Sequence, residues 1–181
     1  LTASPEVKLS AMLEIMRCLN GLLSLDQVLP KVLDALFKIF MQADRGFIVL
    51  KDPAGKLIPK WTKFRHDDGR ESIRISRTVV NHVIESRKAI LSKDAASDAR
   101  FEMSQSVADF QIRSMLCAPL IDSDGMAIGA IQVDTLDQRQ RFREEDLEVL
   151  ASVGSQAAIA INNAKLYEQV LQQRDLQRDL E

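Results

Sequence analysis

The sequence predicts an α+β layered domain: an antiparallel sheet of about five or six strands, helices packed on its faces, and long helices at its ends. The first observation is residues 112–135, IRSMLCAPLI-DSDG-MAIGAIQVDT, where two β-patterned runs flank the turn residues Asp122 to Gly125. In the first run Leu116, Ala118 and Leu120 fall on one face, and Met115, Cys117 and Ile121 on the other. A strand that is apolar on both faces needs cover on both, so this hairpin belongs in the middle of a sheet. The second observation is that apolar residues elsewhere recur at helical spacing behind helix caps. The third is element order: helix, helix, strand, strand, helix, strand, strand, strand, helix.

Ser4-Pro5-Glu6 opens the first helix with a capping hydroxyl, a proline at the first helical position and an acid at the positive end of the dipole. Val7, Met12, Met16, Leu19 and Leu23 form its apolar stripe, to an end near Gly21 or Leu22. Ser24 and Gln27 make a capping box for the second helix, whose stripe is Val28, Val32, Leu36, Ile39 and Phe40, with a kink expected at Pro30. Gly46 to Lys51 and Leu57 to Phe64 read as a hairpin across Asp52-Pro-Ala-Gly55. Ile73 and Ile75 suggest a brief extended piece. Ser76 then caps a helix carrying Val79, Val80, Val83 and Ile84 to about Arg87. Ala89 to Leu91 reads as a short strand, and residues 92–111 as an irregular segment with one helical turn near 104–109. In the return strand of the central hairpin, Gly129 and Ala130 leave room for a close neighbour.

From Arg143 a proline-free helix is expected to run to the end, interrupted only by Gly154. Leu147, Leu150, Val153, Ala157, Ile161 and Ala164 line one side of it. Ile159, Leu166, Gln173 and Leu180 fall seven apart, with Val170 and Leu176 near the complementary positions, a coiled-coil seam toward a parallel second copy of the chain.

With 181 residues the chain has enough length for one domain with helical extensions. A net charge of −2 argues against a nucleic-acid partner. Cys18 and Cys117 are far apart and make neither a zinc motif nor a disulfide framework, so a reducing, cytoplasmic setting is expected. No apolar run approaches the roughly 20 residues that cross a bilayer, and no membrane association is expected. The chain starts at Leu1 rather than methionine, and we read it as a piece of a longer protein.

The pieces SLDQVLPKVLDAL (24–36), ADRGFIVL (43–50), ISRTVVNHVIESRKAIL (75–91), DAASDARF (94–101), IRSMLCAPL (112–120), MAIGAIQVDT and RFREEDLEVL (141–150) together resemble a GAF domain, in their order and spacing. GAF domains are the small-molecule-binding sensor modules of signalling proteins. The resemblance implies three parts: an N-terminal linker or dimerisation helix (1–23), the GAF domain (24–165) and a coiled-coil linker helix (166–181) leading to an output domain. The phrase LYEQVLQQRDLQRDLE is similar to linkers that precede such outputs. A PP2C-type phosphatase is the preferred output, with a nucleotide cyclase or an ATP-driven transcription activator as alternatives. The opening helix resembles segments that follow a forkhead-associated domain.

Ligands of the family include cyclic nucleotides, haem, tetrapyrroles and small metabolites. The best-known signature joins Asn-Lys after the last strand to a Phe and then Asp-Glu. Here Phe142 and Asp146 match, while Asp134-Thr135 replaces Asn-Lys and Leu147 replaces the Glu, so the signature's salt bridge cannot form. No haem or tetrapyrrole attachment signal is present, and the cofactor is left unassigned. In GAF relatives the irregular segment covers the pocket, which singles out Lys93, Asp94, Asp98, Arg100, Phe101 and Arg113 as ligand-binding candidates, the charged ones through charge-assisted bonds. Local salt bridges and turn hydrogen bonds are the competing role for Asp94, Asp98 and Arg100.

Other features read as structural. Cys117, inside a central strand, is expected to be a buried small hydrophobe, and Cys18 likewise, which argues against the GAF relatives that reduce methionine sulfoxide. His82 has no second ligand at helical spacing. The Asp122–Gly125 segment lacks the rest of a calcium loop. The basic stretch 51–77, with Trp61 and Phe64, is best explained as a solvated sheet edge. No catalytic triad, carboxylate pair or phosphate-cradling glycine loop is evident, and no enzymatic activity is expected. The expectation is a regulatory sensor acting as a parallel homodimer with a small-molecule ligand, the alternative being a ligand-free dimerisation spacer.

Overall fold

A computed structural model describes residues 3–21, 23–66, 76–93, 114–137 and 139–180 of the chain. Four helices and five strands occur among the described residues: α1 (Pro5–Asn20), α2 (Leu25–Ile39), β1 (Arg45–Lys51), β2 (Leu57–Phe64), α3 (Arg77–Ser86), β3 (Ile90–Ser92), β4 (Ser114–Ile121), β5 (Ala127–Thr135) and α4 (Glu144–Arg178). The strands form one sheet in the order β2-β1-β5-β4-β3, every neighbouring pair antiparallel. The extended piece at Ile73 and Ile75 and the helical turn at 104–109 fall outside the described residues.

Strand alternation sorts the sheet into two layers. Ile48, Leu50, Leu116, Ala118, Leu120, Ile131 and Val133 join α1, α2 and α4 in the larger core. Phe47, Val49, Met115, Cys117 and Ala130 face the other way, beneath Val79, Val80, Val83 and Ile84 of α3. The two faces read from β4 are therefore the two cores of the molecule. β5 lies at the sheet centre, and β2 is an edge strand whose middle residues are exposed, as its lysines suggest.

The caps also follow the sequence. Ser4 Oγ accepts from the Val7 N–H at 3.3 Å, and the Gln27 side chain accepts from the Ser24 N–H at 3.0 Å. Helix α2 continues through Pro30 and is buried on most of its circumference. Ser76 Oγ accepts from the Val79 N–H, and α3 ends at Arg87 in the left-handed region (φ 57°). Arg143 carries no capping side chain of the usual type; its N–H donates instead to Asp146 at 2.8 Å, which closes the start of α4.

One stripe is displaced. Val7 and Met16 are exposed, and α1 buries Ala11 and Ile15. Ala11 is small enough to bring the α1 backbone close to its neighbours, and that outweighs the longer side chains. Leu9, Leu13 and Met16 are left as an outward apolar row. Gly154 does not interrupt α4: a side chain there would meet the Pro119 carbonyl oxygen at 3.2 Å, so the glycine sits where helix and β4 approach most closely. The helix spans 35 residues, about 50 Å, and from Gln169 onward its residues are exposed.

Candidate functional site

The α3 face of the sheet is apolar except at one end. Residues alternate along β5, so Ala130, Gln132 and Asp134 share the face that Met115 and Cys117 occupy on β4 and Arg45, Phe47 and Val49 on β1. Arg45 stands directly opposite Asp134 across the ladder. Its Nε donates to the two carboxylate oxygens at 3.1 and 3.0 Å, and Nη2 donates to Oδ2 at 2.7 Å. Gln132 Nε2 donates to the same Oδ2 at 3.0 Å. The guanidinium also lies 5.6 Å from the centre of the Phe47 ring.

All three polar side chains are buried: Arg45 is 4% exposed, Gln132 2% and Asp134 0%. A paired charge in such a place needs its remaining hydrogen-bonding capacity met. Gln132 Oε1 is buried and accepts no hydrogen bond among the described residues. It is an acceptor facing the layer beneath α3, able to receive an N–H or O–H from a bound molecule.

The dipeptide Asp134-Thr135, at the place of the family's Asn-Lys, is locked from the other side as well. Asp44 Oδ2 accepts from Thr135 Oγ1 at 3.1 Å and from the Leu136 N–H at 2.8 Å. Phe142 and Asp146, the matching half of the signature, are engaged on the opposite side of the sheet. Phe142 packs edge-on against Phe40, 5.9 Å between ring centres, and Asp146 accepts from Arg143 and from Gln42 Nε2. Both secure the entry to α4.

Of the six ligand-binding candidates, Lys93 is described: it is exposed, directly after β3. Asp94, Asp98, Arg100, Phe101 and Arg113 lie outside the described residues. Arg45 and Gln132 were not singled out from sequence. Their signal was present in β5, where Gln132 and Asp134 interrupt an apolar alternation, with Asp44-Arg45 supplying charges at the entry to β1.

The remaining candidates take structural roles. Cys117 is fully buried, and burial, with the Asp134 charge added, pushes its thiol pKa up, so the thiolate does not form. His66 and His82 are exposed. Asp122 Oδ1 accepts from the N–H groups of Asp124 and Met126 at 3.0 and 2.9 Å, and Gly125 takes φ 79°, which makes this a plain turn. In the basic stretch Arg65 donates to the carbonyl oxygens of Phe37, Phe40 and Ala43, so this arginine serves as a strut. Among the described residues no cluster of His, Cys, Asp and Glu suits a metal ion, and no helix is long and apolar enough to cross a membrane.

Comparison with known proteins gives a consistent result. The family model described as GAF domain matches residues 23–162. The chain is 34% identical over 91 residues to the dual 3′,5′-cyclic-AMP and -GMP phosphodiesterase 11 of Drosophila melanogaster, covering 50% of the chain and 6% of that protein. It is 25% identical to the dual 3′,5′-cyclic-AMP and -GMP phosphodiesterase 11A of Takifugu rubripes, covering 93% of the chain and 20% of that protein. The chain thus spans a fifth or less of the length of these relatives. The crystal structure of the domain from an Acinetobacter phosphoenolpyruvate-protein phosphotransferase superposes with a TM-score of 0.66 at 18% identity, covering 90% of this chain and 97% of that one.

Proposed function

The chain belongs to the GAF domain family, whose members are sensory and regulatory modules of signalling proteins, and from this we infer that it binds a small molecule beneath α3 and passes occupancy to a neighbouring output domain. The observation that carries the reading is the Arg45–Asp134–Gln132 cluster. A face that served only as packing would gain from being apolar throughout, whereas this one keeps a buried ion pair and an amide oxygen that accepts no hydrogen bond among the described residues. In this reading Lys93, Asp94, Asp98, Arg100, Phe101 and Arg113 contact the ligand from outside, and Gln132 contacts it from the sheet. The preferred output domain in this reading is a PP2C-type phosphatase, with a nucleotide cyclase or an ATP-driven transcription activator as alternatives, on the likeness of LYEQVLQQRDLQRDLE to linkers that precede such domains.

Transmission runs through a parallel homodimer. Leu166 and Val170 are 54% and 53% exposed on α4, and Leu176 and Leu180 continue the row, so a second copy would cover side chains that water now meets. A ligand that prefers one arrangement of the dimer shifts the population toward it, by no more than its differential affinity.

The test is a thermal-shift screen with cyclic nucleotides, haem, bilins and amino-acid metabolites, in the wild type and in an Asp98→Ala/Arg100→Ala variant. A true ligand at about a hundredfold over its Kd adds roughly 2.7 kcal/mol to wild-type stability and much less to the variant. Equal stabilisation of both proteins, or no shift with any compound, would overturn the assignment of this site.

A further inference from the structure

A cleft lies on the side of the sheet away from α3, where the β1–β2 hairpin, the start of α2 and the outer part of α4 meet. Its volume is about 470 Å³, within the size range of small-molecule sites. Lys51, Lys60 and Lys165 line it from three different elements. Two carboxylates line it as well, but each is engaged with backbone. Asp52 Oδ1 accepts from the Lys56 N–H at 2.7 Å, and Glu168 Oε1 accepts from the Leu25 N–H at 2.9 Å. Among the described residues none of the three lysines forms an ion pair. Burial, and then the facing Lys60 charge, lower the Lys165 pKa from its ordinary value.

Three lysines against two carboxylates leave the concave site with an excess of positive charge, which a bound counter-charge relieves. We propose that this cleft binds the polyphosphate group of a small molecule, with Lys51, Lys60 and Lys165 as the cationic contacts. Lysines suit such a ligand because each acts as a mobile point charge toward phosphoryl oxygens. The site is independent of whatever binds beneath α3. Its position gives it a regulatory meaning: Lys165 and Glu168 lie where α4 leaves the body, so an anion spanning Lys51, Lys60 and Lys165 ties the sheet to the outgoing helix. Occupancy therefore fixes the direction in which α4 departs.

The charged groups facing Lys165 are Lys60 from β2, Lys51 and Asp52 from β1 and its turn, and Glu168 from its own helix. Because the Lys165 pKa is lowered, the ammonium loses its proton sooner than usual as pH rises. Affinity for a polyanion accordingly falls with rising pH through that window.

The experiment is isothermal titration of the 181-residue chain with inorganic tripolyphosphate, and with a nucleoside triphosphate, at low ionic strength. The expected result is one equivalent bound per chain, weakened about tenfold or more in Lys60→Ser/Lys165→Gln and unchanged in Lys88→Gln, a control at an exposed lysine on the far side. Glu168→Gln keeps an amide oxygen for the Leu25 N–H while removing a negative charge from the cleft, so it should tighten binding about threefold. This gain does not depend on the double variant folding. Tighter binding of the nucleoside triphosphate would assign the source to a nucleotide, and equal binding to free polyphosphate. No binding at millimolar tripolyphosphate, equal weakening by Lys88→Gln, or no gain from Glu168→Gln would overturn the proposal.

Discussion

Arg45 and Asp134 form a buried ion pair that cannot lose one partner cheaply. Arg45→Met leaves the Asp134 carboxylate 0% exposed with Gln132 as its remaining side-chain partner among the described residues, and should cost about 3–5 kcal/mol in urea unfolding. Adding Asp134→Leu removes the stranded charge and should return most of that loss, since an apolar pair of similar volume often matches a buried salt bridge. Cys117 yields a second expectation. Its raised pKa keeps the thiol neutral in the folded protein, so iodoacetamide at pH 8 should leave Cys117 unmodified in native protein and label it after unfolding, as read by peptide mapping of that residue. The same shift has a sign in stability. Above the ordinary thiol value of 9.0 the unfolded chain releases a proton that the folded chain holds, so stability present below that pH declines as pH rises past it.

At the scale of elements, the close approach of β5 to β1 rests on Gly129. A Cβ there would lie 2.0 Å from the Val49 carbonyl oxygen, which requires backbone to move. Gly129→Ala should therefore destabilise by about 3 kcal/mol, the upper part of the overpacking range, measurable as a lower urea midpoint with unchanged slope. The two faces of β4 and the caps at Ser4, Ser24 and Ser76 were legible because each depends on local chemistry: alternation, a hydroxyl before an apolar run. The buried face of α1 was not. Spacing alone fits Val7-Met12-Met16 about as well as Ala11-Ile15, and the choice is made by how near α4 can come. Candidate-site residues were hidden for a related reason. Arg45 and Gln132 are separated by about half the chain, and the β1–β5 register makes them members of one cluster. The outer part of α4 carries its own prediction. Ending the chain after Lys165 removes the exposed Leu166, Val170, Leu176 and Leu180, and should turn a dimer into a monomer in sedimentation equilibrium, with the sheet's circular dichroism retained.

Taken whole, the molecule is a sheet with different tasks on its two sides. The α1, α2 and α4 side holds the larger core and the 35-residue helix that leads away from it. The α3 side holds a small apolar layer ending in a buried polar cluster. Residues of β5 serve both layers alternately, so a molecule pressing on Gln132 and Asp134 bears on the strand whose Ile131 and Val133 support the helices. That shared strand is the physical link proposed between ligand and output. Native mass spectrometry, on protein incubated with a small-molecule extract of its host and then denatured, tests the sensor reading most directly. The expected spectrum is a dimer carrying one extra small mass per chain, released when the protein unfolds. Native and denatured masses that both equal the bare polypeptide would contradict the sensor and favour a ligand-free spacer.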